Sequence, residues 1–369
     1  MRIFHINCNY IGTTLHQLMI ENLDILGYDN QVFVPTYDKN LAVIEPNANV
    51  FVCECFRKWD RLFFDCKQKK IRNGIETNID IPCFDLIHAY TLFTDGNCAR
   101  KLAKKFAIPY VVAVRNTDVN DFFRLMPHLH IRGVQIMRDA SAVFFLSEAY
   151  RKQVFEKYIP KAYWAEIRKK TFIIPNGIDE FWFENTPIKD KVINKKAVKL
   201  VYVGRIDKNK NIPTTQKAMA ILRKQGYETT LLVVGKVQDE KEFRIIKKDF
   251  FTKCYPEMPK DKLLDIYRDS DIFVMPSFTE SFGLVYAEAM SQGIPVIYAK
   301  GQGFDEQFDE GVVGYHVVVD CPNEVAAGIK RVIDNYYDIQ KNVVSSAREF
   351  SWAKIVRKYD QIYKKVVSK

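Results

Sequence analysis

Short apolar runs at Ile3–Asn7, Gln31–Pro35, Val50–Cys53, Leu86–His88, Tyr110–Val114, Ala142–Leu146 and Phe172–Pro175 punctuate the first half of the chain. Between them lie segments with helical spacing, such as Thr14–Leu26 and Gly96–Phe106. A strand that is apolar along its whole length is buried on both faces, and strands alternating with helices give a parallel sheet covered on each side. After a polar, Lys-rich stretch at 185–199 the alternation resumes. Strands are expected at Leu200–Val203, Thr230–Val234, Ile272–Met275 and Pro295–Tyr298, and helices at Pro213–Lys224, Lys262–Arg268, Glu324–Tyr336 and Phe350–Lys365. The fold class is therefore α/β with two domains, each built on a parallel sheet. The pattern divides the chain into 1–184, a linker at 185–199 and 200–349, followed by a last helix whose Trp352, Ile355, Val356, Tyr359, Ile362 and Tyr363 share one buried face.

In parallel sheets, ligands gather at the carboxyl ends of the strands. The stretch PSFTESFGLVYAE at 276–288 is such an end: strand, loop, helix, then a second strand. Glu280 and Glu288 bracket the loop and first helical turns, Gly283 allows close backbone approach, and a helix start offers unpaired N–H groups to a phosphate or sugar hydroxyl. A solvated loop capped by Ser281 is the plainer alternative. The loop GRIDKNKN at 204–211 also opens a helix, and Arg205 and Lys210 could grip one diphosphate there, a planar fork beside a compact charge. In the first half, the loops to inspect are Cys8–Thr14, Ala89–Thr94 and Arg115–Asp121. Gly12 is a lone glycine before a helix, consistent with phosphate binding or with an ordinary turn capped by Thr13 or Thr14. His88 ends a parallel strand, where it serves either a site or packing. Arg115, Asn116, Thr117 and Asp118 follow the strongest strand, which favours a site role.

Composition narrows these readings. The chain has 369 residues, 47% of them hydrophobic and 27% charged, which excludes a disordered protein and suits two domains. No apolar run is long enough to span a bilayer and no signal-peptide core is seen, so a cytoplasmic protein is expected. Eight scattered cysteines without metal-ligand spacing read as reduced thiols. The net charge of +10 concentrates at 57–72, RKWDRLFFDCKQKKIR, where seven bases face two acids among Trp59, Phe63 and Phe64. That segment fits a helix lying on an anionic membrane face, or a solvated basic helix with its aromatics turned inward. Basic residues elsewhere form no nucleic-acid reading surface.

The motifs GRIDKNKN, PSFTESFGLVYAEAMSQGIPVI, IIPNGID at 173–179, GQGFDE at 301–306 and FSWAKIVRKY near the end, in that order, resemble family 4 glycosyltransferases of the GT-B fold. The resemblance implies two Rossmann-like domains facing across a cleft, with the last helix, about 350–369, packed back on an N-terminal acceptor-binding domain and a C-terminal domain that binds the nucleotide sugar. It implies that Arg205 and Lys210 hold the diphosphate of a UDP- or GDP-linked donor, that Glu288 accepts the ribose hydroxyls, and that Glu280 meets the donor sugar. Gly204, Gly235, Ser281, Phe282, Gly283 and Leu284 would line the donor, with the base near Gly235, Lys236 and 254–258.

The N-terminal match is looser. VVAVRNTDVNDFF carries Arg115 and Asn116 where relatives carry a His-Gly turn, leaving Arg115, His88 or Asp118 to act beside the reacting sugar. Such enzymes retain anomeric configuration, because the departing diphosphate takes the acceptor proton itself. No metal or other cofactor is expected, since the motif requires none and no Asp-x-Asp pair is present. The expected reaction moves a hexose or derivative to a glycan precursor, lipid-linked and destined for a surface polysaccharide, by an enzyme that is cytoplasmic or peripheral on the inner face of the plasma membrane. The alternatives are a non-hydrolysing nucleotide-sugar 2-epimerase-like enzyme and a nucleotide-binding protein without turnover.

Overall fold

The computed structural model describes residues 1–41, 49–187 and 191–368. Two compact units are present, one of Met1–Leu146, Tyr150–Gly177 and Trp352–Lys369, the other of Ser147–Ala149 and Ile178–Ser351. The first is built on a seven-stranded sheet of β1 (Arg2–Ile6), β2 (Asp29–Thr36), β3 (Val50–Glu54), β4 (Leu86–Ala89), β5 (Tyr110–Val114), β6 (Ala142–Phe145) and β7 (Thr171–Ile173), in the order β3-β2-β1-β4-β5-β6-β7. Every neighbouring pair is parallel. β4, β5 and β6 are buried at every position, which is why their sequences read as unbroken apolar runs rather than alternating ones. Strand order reverses between β1 and β4, the switch point at which parallel sheets commonly bind ligands.

The helix Trp352–Val367 belongs to this first unit although nearly the whole second unit precedes it in the chain. Its face of Trp352, Ile355, Val356, Tyr359, Ile362 and Tyr363 joins a core with Met19, Ile20 and Leu23 of the Thr14–Ile25 helix and with Val111, Ala113 and Phe144 of the sheet. Gly177 makes room for it: a Cβ there would lie 2.5 Å from the Trp352 indole.

The second unit holds β8 (Ala197–Val203), β9 (Glu228–Val234), β10 (Thr252–Tyr255), β11 (Ile272–Met275), β12 (Val296–Ala299) and β13 (Gly314–Val317), ordered β10-β9-β8-β11-β12-β13 and again all parallel. β10 and β13 are not among the strands expected from the sequence. They are the edges, half exposed and short, so they carry no full apolar run. The stretch 185–199 belongs to this unit rather than lying ahead of it: Ile193 is buried, and Asn194 bridges to Ala197 at the start of β8. Residues 188–190 of that stretch lie outside the described residues. Among the described residues, no helix is long and apolar enough to cross a membrane.

Candidate functional site

In the second unit, three loops at strand carboxyl ends interlock. After β8 the chain passes Gly204 and Arg205 into a 3-10 turn at Lys208–Lys210, whose start is capped by the Asp207 side chain accepting the Lys210 N–H. After β11 it passes Pro276–Gly283 into the helix Leu284–Ser291. Asn209 ties the two together. Its amide donates to the Thr279 carbonyl at 2.8 Å and accepts the Thr279 N–H at 3.0 Å, while its own carbonyl accepts the Phe278 N–H at 2.9 Å. The next residue, Lys210, is thereby set against Glu280, and their side chains form an ion pair of 2.6 Å with about a tenth of each exposed, 11% and 12%. An ion pair this enclosed needs good geometry to offset the desolvation of both charges, and the surrounding hydrogen bonds supply it.

Glu280 is fixed from every side. Its Oε1 accepts the Ser281 N–H at 3.1 Å, its N–H donates to Gln302 Oε1 at 2.9 Å, and its carbonyl accepts the Gly303 N–H at 2.8 Å. GQGFDE is thus the third loop. At Gly303 a Cβ would fall 1.9 Å from the Ser281 carbonyl oxygen, so only glycine lets the two loops touch. Gly283, with φ at 78°, occupies the N-cap position in left-handed backbone, and no side chain caps the helix, contrary to a cap by Ser281. Among the described residues, the N–H groups of Phe282, Gly283 and Leu284 have no hydrogen-bond partner. Phe282 itself is buried against Phe304 and Phe350. Arg205 is exposed, and among the described residues its guanidinium makes no hydrogen bond or ion pair. Gly235 follows β9 and abuts Gly204, and its N–H is taken by the Tyr255 carbonyl on β10. The arrangement therefore offers the unpaired Arg205, the Lys210 held by Glu280 and an open helix start, groups suited to receive an anion.

Glu288 lies about one turn along the same helix, half-buried, with Trp182, Tyr267, Asp179 and Lys260 as neighbours. Burial pushes its carboxyl up to about 7, opposed chiefly by the Lys260 charge. The Trp182 indole N–H and the Tyr267 hydroxyl face it without a hydrogen bond of ordinary geometry and have no other partner among the described residues. Lys260 is ion-paired with Asp179 of the PNGID motif.

The first unit corrects two expectations. His88 is not at an open strand end: it is wholly buried beside His5 in the sheet, stacked on Tyr90 at 4.3 Å, and its Nδ1 shares a 2.7 Å hydrogen bond with the Tyr363 hydroxyl. Burial holds it neutral, so it fastens the last helix rather than meeting substrate. Asp118 is also buried, its oxygens accepting the N–H groups of Leu92 at 2.9 Å, Phe93 at 3.1 Å and Arg115 at 2.8 Å. It pins the loop after β4 to the loop after β5, and no face is left for a sugar hydroxyl. Burial raises its carboxyl to about 6, with the three N–H groups pulling back. Gly12 sits in a 3-10 turn with open space around it, and Thr13 caps the following helix by accepting the Leu15 N–H at 3.3 Å.

Arg115 is nearly buried, donating through Nε to the Tyr90 carbonyl at 3.3 Å and through Nη1 to Asn176 at 2.9 Å. Asn176, Asn209 and Gln302 are the positioning side chains that sequence reasoning missed, although all three lie inside the quoted motifs. A further buried carboxyl, Asp95, accepts from the Thr91 hydroxyl at 3.0 Å and from the Cys8 N–H, and burial lifts it to about 7.

One group among the described residues has metal-ligand character: Asp305, Glu310 and His316, with ligand atoms within 4.8 Å of one another. They already satisfy each other. His316 Nδ1 lies 2.9 Å from Asp305, Asp305 accepts the Gly301 N–H at 2.7 Å, and Glu310 accepts the His316 N–H at 3.0 Å with the Arg331 cation beside it. This wiring accounts for the cluster without a cation.

Comparison with known proteins agrees with this geometry. Residues 184–350 match the family described as glycosyl transferases group 1, which spans all three interlocked loops. An uncharacterized glycosyltransferase of Methanocaldococcus jannaschii is 23% identical over 359 residues, covering 92% of this chain and 88% of that one. Sucrose-phosphate synthase from Thermosynechococcus elongatus superposes with a TM-score of 0.77 over 100% of this chain and 99% of its own, at 20% identity. Anabaena HepE, solved in complex with UDP and glucose, gives a TM-score of 0.68 at 17% identity over 99% of this chain and 100% of its own. The fold is that of GT-B enzymes, and the matches support a glycosyltransferase.

Proposed function

We propose that the protein is a retaining glycosyltransferase that moves a hexose or hexose derivative from a UDP- or GDP-linked donor to a lipid-linked glycan precursor of a surface polysaccharide. The observation that carries this is the Lys210–Glu280 pair beside the unpartnered Arg205 and the open Gly283 helix start. The donor diphosphate lies on Arg205, Lys210 and the N–H groups at 282–284. Glu280, already oriented by three backbone and side-chain contacts, receives the sugar hydroxyls, and Glu288 the ribose.

As the bond between the anomeric carbon and the phosphate oxygen breaks, negative charge grows on the diphosphate, where these fixed positive groups stabilise it. The acceptor oxygen attacks the anomeric carbon from the same face and passes its proton to a departing phosphate oxygen, so configuration is retained and no protein base is needed. In the first unit, Asp118 accepts the Arg115 N–H and Asn176 accepts from its guanidinium, which fixes that loop. The reaction is assigned to the cytoplasm, at the inner face of the plasma membrane, and needs no divalent metal.

The test is incubation with a panel of UDP- and GDP-sugars, reading donor hydrolysis and thermal stabilisation by UDP and GDP. Stabilisation by one nucleotide, abolished in Lys210→Ala, is expected. No response to any nucleotide would refute the reading, nucleotide binding without turnover on any acceptor would leave a binding protein, and sugar epimerisation without an acceptor would identify an epimerase.

A further inference from the structure

The basic and aromatic segment between β3 and the Phe64–Asn78 helix is not one amphipathic helix, as its sequence suggests. It is a 3-10 turn at Lys58–Leu62, and the long helix starts only afterwards. Within Arg57–Phe63 a single side chain is buried, that of Asp60. Its carboxylate accepts the Arg57 N–H at 2.6 Å and pairs with Lys70 at 2.7 Å, so the only acid of the turn is both hidden and neutralised. What faces out is Arg57, Lys58 and Arg61 together with Trp59, Leu62 and Phe63, the last three 61%, 82% and 64% exposed.

A second element extends this face. Arg132 pairs with Asp65 and lies 5.2 Å over the Phe64 ring, whose centroid is 6.1 Å from Phe122. Beside these contacts stand Leu125 and Ile131, 61% and 72% exposed, and the exposed Arg124. An exposed cluster of large apolar groups marks a surface that meets something. The chemistry of this one is specific. Here cations alternate with aromatic and branched side chains on a tight turn, so the rings can enter a headgroup layer while the long cationic side chains reach phosphates.

We propose that this face docks on an anionic lipid bilayer, with Trp59, Leu62 and Phe63 inserted at the headgroup boundary, Arg57, Lys58 and Arg61 on lipid phosphates, and Leu125 and Ile131 as a second anchor. It gives named residues to the membrane contact that the proposed transfer to a lipid-linked acceptor calls for, and rests on that reading only for its purpose.

The experiment is co-sedimentation of the full chain with vesicles of phosphatidylcholine alone or mixed with phosphatidylglycerol. It is repeated for the triple variant Arg57→Ser, Lys58→Ser, Arg61→Ser and for the double variant Leu62→Ser, Phe63→Ser. Each substituted side chain is exposed, so unchanged melting temperatures and unchanged UDP or GDP stabilisation are expected. These readouts keep a failure of docking distinct from a failure of the transfer reading. Wild type should bind only the anionic vesicles, more weakly as salt rises. The triple variant should lose about fivefold in affinity per cation removed, and the double variant should lose most of the remaining binding. Absence of vesicle binding, equal binding to neutral vesicles, or anionic binding indifferent to the Leu62 and Phe63 changes would overturn the proposal. Self-association of wild type that the double variant abolishes, without vesicle binding, would assign the face to a second copy of the chain instead.

Discussion

Glu288 carries a pH dependence whose sign and size follow from its surroundings. Its carboxyl is lifted from the ordinary 4.5 to about 7 because burial penalises the charge more than Lys260 favours it. A carboxyl raised in the folded state stabilises the fold fully below its unfolded pKa, and that contribution is lost as pH rises through the folded pKa. The window is therefore about pH 4.5 to 7. The full shift corresponds to about 3 kcal/mol. Because the side chain is only half-buried, water reduces the measurable part to about 1 to 3 kcal/mol.

Glu288→Gln removes the ionisation while keeping shape and one acceptor oxygen. Urea unfolding at pH 5 and pH 8 should give wild type and variant nearly equal stability at the lower pH, with the variant the more stable by that amount at the higher. UDP or GDP binding should move the other way: a charged acceptor for the ribose is gone, so affinity at pH 8 falls by about ten- to a hundredfold, in keeping with a charge-assisted bond of about 1.5 to 3 kcal/mol. Parallel stability curves for the two proteins across pH 5 to 8 would refute the burial argument, and unchanged nucleotide affinity would refute the ribose assignment.

Three other changes separate the remaining contacts. Gly303→Ala forces the GQGFDE loop off Ser281 and should lower stability by about 1 to 3 kcal/mol, as overpacking does, with a large loss of donor binding measured by calorimetry. Asn209→Ala removes two side-chain hydrogen bonds to Thr279 and loosens the Lys210–Glu280 register, so kcat should fall more than KM rises, and thermal denaturation should show a loss of about 1 to 3 kcal/mol. Tyr363→Phe strips buried His88 of its Nδ1 partner and should lower stability by about 1 to 3 kcal/mol while leaving nucleotide binding unchanged, a combination that separates packing from chemistry at His88.

The parts of this molecule that could be read from sequence are those in which local pattern and burial coincide. Continuous apolar runs marked nearly every central strand because parallel strands are covered on both faces, and the spacing from Trp352 to Tyr363 marked the face that the last helix buries. The edges β10 and β13 escaped because half-exposed strands lack that run. At the site, Arg205, Lys210 and Glu280 stand out as charges in loops at strand ends, yet the side chains that hold them do not. Asn209 and Gln302 are ordinary polar residues whose role appears only when two distant loops meet, and Asn176 reads as half of a turn signal until Arg115 is found against it. His88 and Asp118 misled for the converse reason. Position at a strand end says nothing about whether a side chain is sealed by a helix from the far end of the chain or by backbone N–H groups of the neighbouring loop.

The pairing of Lys210 with Glu280 bears on how a donor enters. Two charges held 2.6 Å apart and largely out of water are each other's counter-ion, so neither is free to meet ligand until something replaces the partner. A diphosphate can do so for Lys210, being more highly charged than a carboxylate, but it would leave Glu280 near an anion that repels it. Sugar hydroxyls resolve the conflict: they donate to Glu280 at the same moment, and the Ser281 N–H and the open N–H groups at 282–284 share the added negative charge. A free diphosphate lacks those hydroxyls. If the donor binds as proposed, the resting ion pair favours the intact nucleotide sugar over the nucleotide diphosphate, and tighter binding of the diphosphate than of the nucleotide sugar in calorimetry would refute this reading.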